Sequence, residues 1–235
     1  MNIDANPSDL KRAVYKRIAQ IIIQFFFLSA ILFLSYGKLD WKWAWIYLLV
    51  SFGVLVVNMI VLIPNHLDLV AERSREKENT KVWDRILTKV IFFFTIIGLI
   101  VAGLDKRFSL TPDLASWFHI SGLILYVLGQ FLFTWSMTAN EFFATTVRLQ
   151  KDRGQKVAEE GPYQYVRHPG YLGMIFSMIA FPIALGTYWV FIPYGIGIIG
   201  YIVRTAFEDN TLTQELVGYS QYKEKVKYRL IPGIW

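Results

Sequence analysis

The residues best suited to chemistry stand in one short block. Arg167-His168-Pro169 is preceded by Tyr163 and Tyr165 and followed by Tyr171 and Gly173. Gly161-Pro162 marks a turn. Pro169 suits the first position of a helix, where its missing N–H costs nothing. His168 then falls at the cap, with Arg167 just outside it. A helix N-terminus presents free N–H groups and the positive end of the peptide dipole, both of which suit an anion such as a carboxylate. Gly173, one turn in, admits the close approach of a backbone or a ligand. The same residues also fit an ordinary basic interface in front of an apolar helix, so the block alone leaves both readings open.

A second group follows an apolar run. Arg204 and Glu208 are four apart and share one helical face, and Asp209 is adjacent. Ionisable groups at the edge of a membrane helix are functional candidates; as an exposed ion pair they would contribute little. If the helix ends there, two acids at its C-terminus oppose its dipole. That conflict favours a partner such as a bound cation or Arg167. Gly195-Ile196-Gly197-Ile198-Ile199-Gly200 matches a dinucleotide-binding fingerprint, but it sits inside an apolar run and not after a strand. Close helix packing through small residues explains it better. His66, His119 and His168 are isolated and lack metal-ligand spacing, so no metal site is expected. The chain has no cysteine, which excludes disulfides, thiolate metal sites and a cysteine nucleophile.

These groups need elements to hold them, and composition says which. Of 235 residues, 54% are hydrophobic and only 18% charged, with the apolar residues in long runs. About 20 such residues span a bilayer as a helix. Spans are expected at 18–36, 43–63, 90–104 and 117–137, then a short hairpin of 170–185 and 188–203 joined at Gly186-Thr187. The first run is long for a signal-peptide core and is read as an uncleaved helix. Between the second and third spans, Leu67, Val70 and Ala71 fall at helical spacing with Asp68, Glu72 and Arg73 between them. That pattern predicts a short amphipathic helix lying on the surface. Trp41, Trp43, Trp45, Trp117 and Trp189 open apolar runs, as interfacial indoles do. The fold expected is all-α: a polytopic membrane bundle of about six spans with a C-terminal helical hairpin and cytoplasmic polar segments. Residues 1–137 would supply four spans, and 138–235 the catalytic region.

The net charge of +6 would suggest nucleic acid in a soluble protein. Here basic residues flanking helix ends explain it, and no nucleic acid is expected. With the N-terminus inside, 20 of the 24 Lys and Arg fall on one side, leaving Lys38, Lys42, Lys106 and Arg107 on the other. The positive-inside rule then predicts both termini cytoplasmic, with 138–169 and 204–235 facing the same side.

Asn140, Phe143 and Arg148, the block from Gly161-Pro162-Tyr163 through Arg167-His168-Pro169 to Tyr171 and Gly173, and then Arg204, Glu208, Leu212, Gly218, Tyr222 and Arg229-Leu230-Ile231-Pro232 form a recognisable set. It resembles the isoprenylcysteine carboxyl methyltransferase family, whose wider group includes phospholipid N-methyltransferases. The resemblance implies an S-adenosylmethionine site with Arg167, His168, Pro169, Tyr171 and Gly173 near the cofactor and Glu208 closing it. Within such a site, Arg167 and His168 would meet the cofactor carboxylate, and Tyr163, Tyr165 and Tyr171 would line the adenine or sulfonium pocket. Glu208 would engage the cofactor amino group or hold Arg204. Arg204 would orient an acceptor carboxylate. The chain departs from the family at Asp209, where Glu is usual, so the role of this second acid stays open. The function implied is methyl transfer, at the cytoplasmic membrane face, to a lipophilic acceptor from the bilayer, such as an isoprenylcysteine-like carboxylate or a phospholipid amine. Two other classes remain: a nicotinamide-dependent membrane reductase and a non-catalytic membrane scaffold.

Overall fold

Each apolar run becomes a helix, and most helices outlast their runs. The computed structural model describes residues 7–74 and 79–235. The long helices are α1 (Pro7–Tyr36), α2 (Lys42–Asn65), α4 (Val82–Phe108), α5 (Ser116–Thr138) and α7 (Phe191–Glu215). All five are long and apolar enough to cross a membrane. Three shorter helices complete the set: α3 (Leu67–Glu72), the apolar α6 (Pro169–Leu185) and α8 (Tyr219–Lys225). Among the described residues there is no strand. The fold is a polytopic helical bundle.

Three expectations need correction. First, α7 does not stop near 203 but runs to Glu215. Its inward face stays buried through Arg204, Thr205 and Asp209, so packing carries the helix past the end of its apolar run. Glu208 and Asp209 are therefore mid-helix, and the dipole conflict does not arise. Second, α3 does not lie on the surface: Leu69, Val70 and Ala71 are buried, while Leu67 is exposed. It packs against α1 and α2, and Val70 and Ala71 share a core cluster with Val14 and Leu62. Part of the segment after it, 75–78, lies outside the described residues. Third, Trp41 is a core residue in contact with Tyr36, whereas Trp45, Trp117 and Trp189 are exposed at the starts of α2 and α5 and just before α7.

The main core joins residues from both sides of position 137. Leu32, Phe33, Ile91 and Leu99 meet Ile175, Met178, Phe181 and Tyr194. The tightest contact is between α5 and α6. A Cβ added at Gly173 would lie 2.5 Å from the Gly129 carbonyl oxygen, and one at Gly129 would lie 2.7 Å from that of Gly173. Two helices approach this closely only where neither carries a side chain. The glycine-rich stretch of α7 does the same: Gly197 faces Met178 and Gly200 faces Ile91. At the far end, His119 Nδ1 lies 2.9 Å from the Ala184 carbonyl, and its ring stacks on Trp43. The α6–α7 turn closes on Gly186, whose φ of +69° favours glycine.

The packing yields a paired prediction. Gly173→Val should destabilise the bundle by about 1–3 kcal/mol, the usual cost of overpacking. Gly195→Ala, where nothing lies within 4 Å, should be neutral or stabilising. Thermal unfolding of the detergent-purified variants, followed by circular dichroism, checks both.

Candidate functional site

At one end of the bundle a single carboxylate gathers four close polar partners, with the Lys223 ammonium 3.9 Å away. Asp209 projects from α7 and is fully buried. Its Oδ1 accepts from Arg167 Nε at 2.7 Å and from the Tyr219 hydroxyl at 2.9 Å. Its Oδ2 accepts from Arg167 Nη2 at 3.2 Å and from Arg229 Nε at 2.9 Å. His168 Nε2 stands 3.3 Å from both Oδ1 and the Tyr219 hydroxyl. Because a carboxylate only accepts, Nε2 is inferred to carry the histidine proton. Two arginines and several hydrogen bonds offset the desolvation of this buried charge, the condition under which such a charge persists.

The same contacts stitch the C-terminal segment to the Arg-His-Pro block. Arg167 N donates to the Tyr228 carbonyl and His168 N to that of Arg229, each at 2.9 Å. Arg167 Nη1 donates to the carbonyls of Val226 and Lys227, each at 2.7 Å. Pro169 then begins α6, as its fixed φ and missing N–H allow.

One turn of α7 lower, Arg204 forms a second buried pair. Its Nε donates to Asp84 Oδ1 at 2.6 Å and its Nη2 to the Thr145 carbonyl at 3.0 Å. Its guanidinium lies over the Tyr171 ring, 5.0 Å from the centroid. Asp84 is fully buried at the start of α4, and its other oxygen accepts from Val147 N at 2.8 Å. The polar strap 139–160 is thus tied down at several points. Gln150, almost fully buried, donates to the Phe142 carbonyl and accepts from Arg153. Arg148 pairs with Glu72 at 2.7 Å and Asp152 at 3.1 Å.

Between this strap and α6, α7 and α8 lies a narrow cavity of about 100 Å³. Tyr163, Arg167, His168, Tyr171 and Glu208 all line it. The Tyr171 hydroxyl donates to the Glu208 carboxylate, and the His168 and Tyr171 rings are near parallel with centroids 5.9 Å apart. Burial pushes the Tyr163 and Tyr222 phenols up, and burial and then the Asp209 charge do the same to Tyr219. All three remain hydrogen-bond donors at neutral pH.

The other residues named from sequence lie elsewhere. Tyr165 is exposed, Pro169 is buried behind the cavity wall, and Gly173 serves the α5–α6 contact. Arg204 is absent from the cavity lining and held by Asp84. Sequence reasoning missed Asp84, Gly170, Tyr219 and the anchoring role of Asp209. Gly170 sits on the lining face with Phe143 against it. Asp84 is 120 positions from its partner, so no local pattern reveals it. Tyr219 stands in the polar tail with no pattern to single it out, and Arg229 is named only within the set that carries the resemblance. Among the described residues no metal-binding cluster is present.

The sequence model of the phospholipid methyltransferase family matches residues 117–218. The range runs from the start of α5 to the residue before α8 and contains the cavity wall except for Tyr219 and Tyr222 of α8. The protein-S-isoprenylcysteine O-methyltransferase of Saccharomyces cerevisiae (strain ATCC 204508 / S288c) is 29% identical over 116 residues, 46% of this chain and 46% of that enzyme. The chain thus matches about half the length of that relative. Both matches support the resemblance carried by the Arg167–Gly173 block and Glu208.

The two neighbouring acids should separate by experiment. Asp209→Ala leaves Arg167 buried without its counter-charge and should cost about 3–5 kcal/mol of stability. Glu208→Gln keeps an oxygen for the Tyr171 hydroxyl and should cost less than about 1 kcal/mol. Thermal unfolding of the two purified variants decides it; equal losses would contradict the division between anchor and lining acid.

Proposed function

We propose that this protein is an integral membrane methyltransferase that uses S-adenosylmethionine and acts on a lipophilic carboxylate at the cytoplasmic face. The observation that carries the proposal is the convergence of His168, Tyr171 and Glu208 on one cavity beneath the polar strap, inside the stretch similar to membrane methyltransferases.

The lining suits this donor in its chemistry. Glu208 offers a carboxylate to an ammonium group, and the rings of Tyr163, Tyr171 and Tyr219 offer faces to a purine and to a sulfonium cation. Lys156, also on the lining, offers a cation to the donor's carboxylate, while Arg148 is held by Glu72 and Asp152. Arg167 contributes its positive field and the shape of the wall, because its Nε, Nη1 and Nη2 are all engaged already. The cavity is tight for a nucleoside-sized ligand, so entry requires the strap to swing outward and close again, as lids do. When bound, the donor supplies a methyl group that leaves sulfur as a bond to the acceptor forms.

The chain's own residues hold and exclude. Asp209 fixes Arg167 and His168, and Asp84 fixes Arg204, which positions the Tyr171 ring. The strap shields the reacting atoms from water, which favours dispersal of the sulfonium charge. A carboxylate acceptor requires alignment and no base. Amine methylation, the alternative raised by the family description, requires removal of a proton, and Glu208 is the lining carboxylate available for it.

Calorimetric titration of S-adenosylmethionine and S-adenosylhomocysteine into detergent-purified protein tests the donor site. Saturable binding is expected, weakened about tenfold or more by His168→Ala and by Glu208→Ala, in line with loss of one hydrogen bond to a charged group. No binding by folded protein in detergent and in lipid would remove the methyltransferase reading.

A further inference from the structure

Four arginines at the donor end of the bundle each have an acid. Arg148 has Glu72 and Asp152, Arg167 and Arg229 share Asp209, and Arg204 has Asp84. Arg73 is different. Just past the end of α3, its guanidinium lies over the rings of Phe143 and Phe133, with centroids 5.4 and 5.9 Å away. Its Nη1 is buried and has no hydrogen-bond partner. It forms no ion pair among the described residues, and the charged groups that act on it are two further cations, Arg17 and Arg204. Burial and then these neighbours push its pKa down to about 9. Leaving a buried cation without an anion is costly, and two aromatic faces offset only about 0.5–2 kcal/mol of that.

Arg73 and Arg17 lie on the wall of a second cavity, of about 360 Å³, between α1, α2, α3, α5 and α6. The rest of that wall is largely apolar, including Ile21, Leu28, Leu55 and Met59. Its size falls in the range of small-molecule sites. It reaches α6 at Met174, less than one turn beyond Tyr171. Phe143 lines the donor cavity and also packs on Arg73. The Phe143–Arg73 contact therefore separates one cavity from the other.

We propose that this second cavity is the acceptor subsite: it takes one long-chain carboxylate, with the apolar chain among α1, α2 and α5 and the carboxylate on Arg73, backed by Arg17. The proposal rests on the methyltransferase reading for the word acceptor. It moves carboxylate recognition from Arg204, which Asp84 already holds, to a cavity-lining arginine that has no acid partner among the described residues.

Equilibrium binding of tritiated palmitate and tritiated hexadecanol to the full chain in phosphatidylcholine nanodiscs tests it. Palmitate should bind saturably and about tenfold or more tighter than hexadecanol, as expected of a charge-assisted contact. Arg73→Gln should abolish that preference, and Arg17→Gln should reduce it. Equal binding of acid and alcohol by the parent protein would overturn the proposal, whatever the variants do. So would a preference that survives Arg73→Gln, or displacement of palmitate by phosphatidylglycerol at matching concentration, which would mark a site for bulk lipid. S-adenosylhomocysteine binding, measured on the same samples, separates the two readings. Its absence, with a palmitate preference that follows Arg73, would sink the donor site and leave the carboxylate site standing.

Discussion

The functional end of this bundle depends on burying the Asp209 carboxylate. The side chain is fully shielded from bulk solvent, so its charge depends on partners within the chain. Those partners are Arg167 and His168 at the entrance of α6, Tyr219 of α8, and Arg229 near the C-terminus. One acid thereby fixes three segments distant in sequence. The neighbouring Glu208, on the same helix but turned toward the cavity, is held only by the Tyr171 hydroxyl and keeps acceptor capacity for a ligand. The departure from the Glu-Glu pair usual in the similar family acquires a physical meaning here. The shorter Asp sits at the position held tightest, and the longer Glu at the position that faces open space.

A second constraint is the pairing of charge across the bundle. Asp84 on α4 reaches Arg204 on α7 and the strap at Val147, while Glu72 on α3 reaches Arg148 in the strap. These pairs tie the strap to the helices, so its position over the cavity is set by buried charge as well as by the Gln150 contacts. Against that background Arg73 stands out, with its Nη1 buried and without a hydrogen-bond partner and no acid paired with it among the described residues. The donor cavity and the largely apolar one are suited to different ligands, and Phe143, on the wall of the first, packs against Arg73 on the wall of the second. That arrangement is what a reaction between a water-soluble donor and a lipid-soluble acceptor requires.

The helices were legible in the sequence because long apolar runs leave few alternatives. The Arg167-His168-Pro169 block and Glu208 were legible from residue type and spacing. The end of α7 was not, since its last turns are polar and held by buried partners rather than by a continuing apolar stripe. Arg73 read as one of the solvated positions of an amphipathic helix, yet α3 tucks under α1 and α2 and turns it inward. Asp84 and Tyr219 were invisible, because a contact between residues on different helices leaves no periodic trace. Arg204 shows the same limit: its spacing from Glu208 was plain, but the partner that holds it lies 120 positions away.

The most direct measurement is transfer of label from S-adenosyl-[methyl-³H]methionine to a long-chain carboxylate by the purified protein in lipid vesicles, followed by mild alkali. Label extracted with the lipid and released by base as volatile methanol marks a methyl ester, the predicted result. Label that was extracted with the lipid but remains non-volatile after base marks an amine product and would contradict the carboxylate reading. Absence of transfer by protein that binds both ligands would contradict the catalytic one.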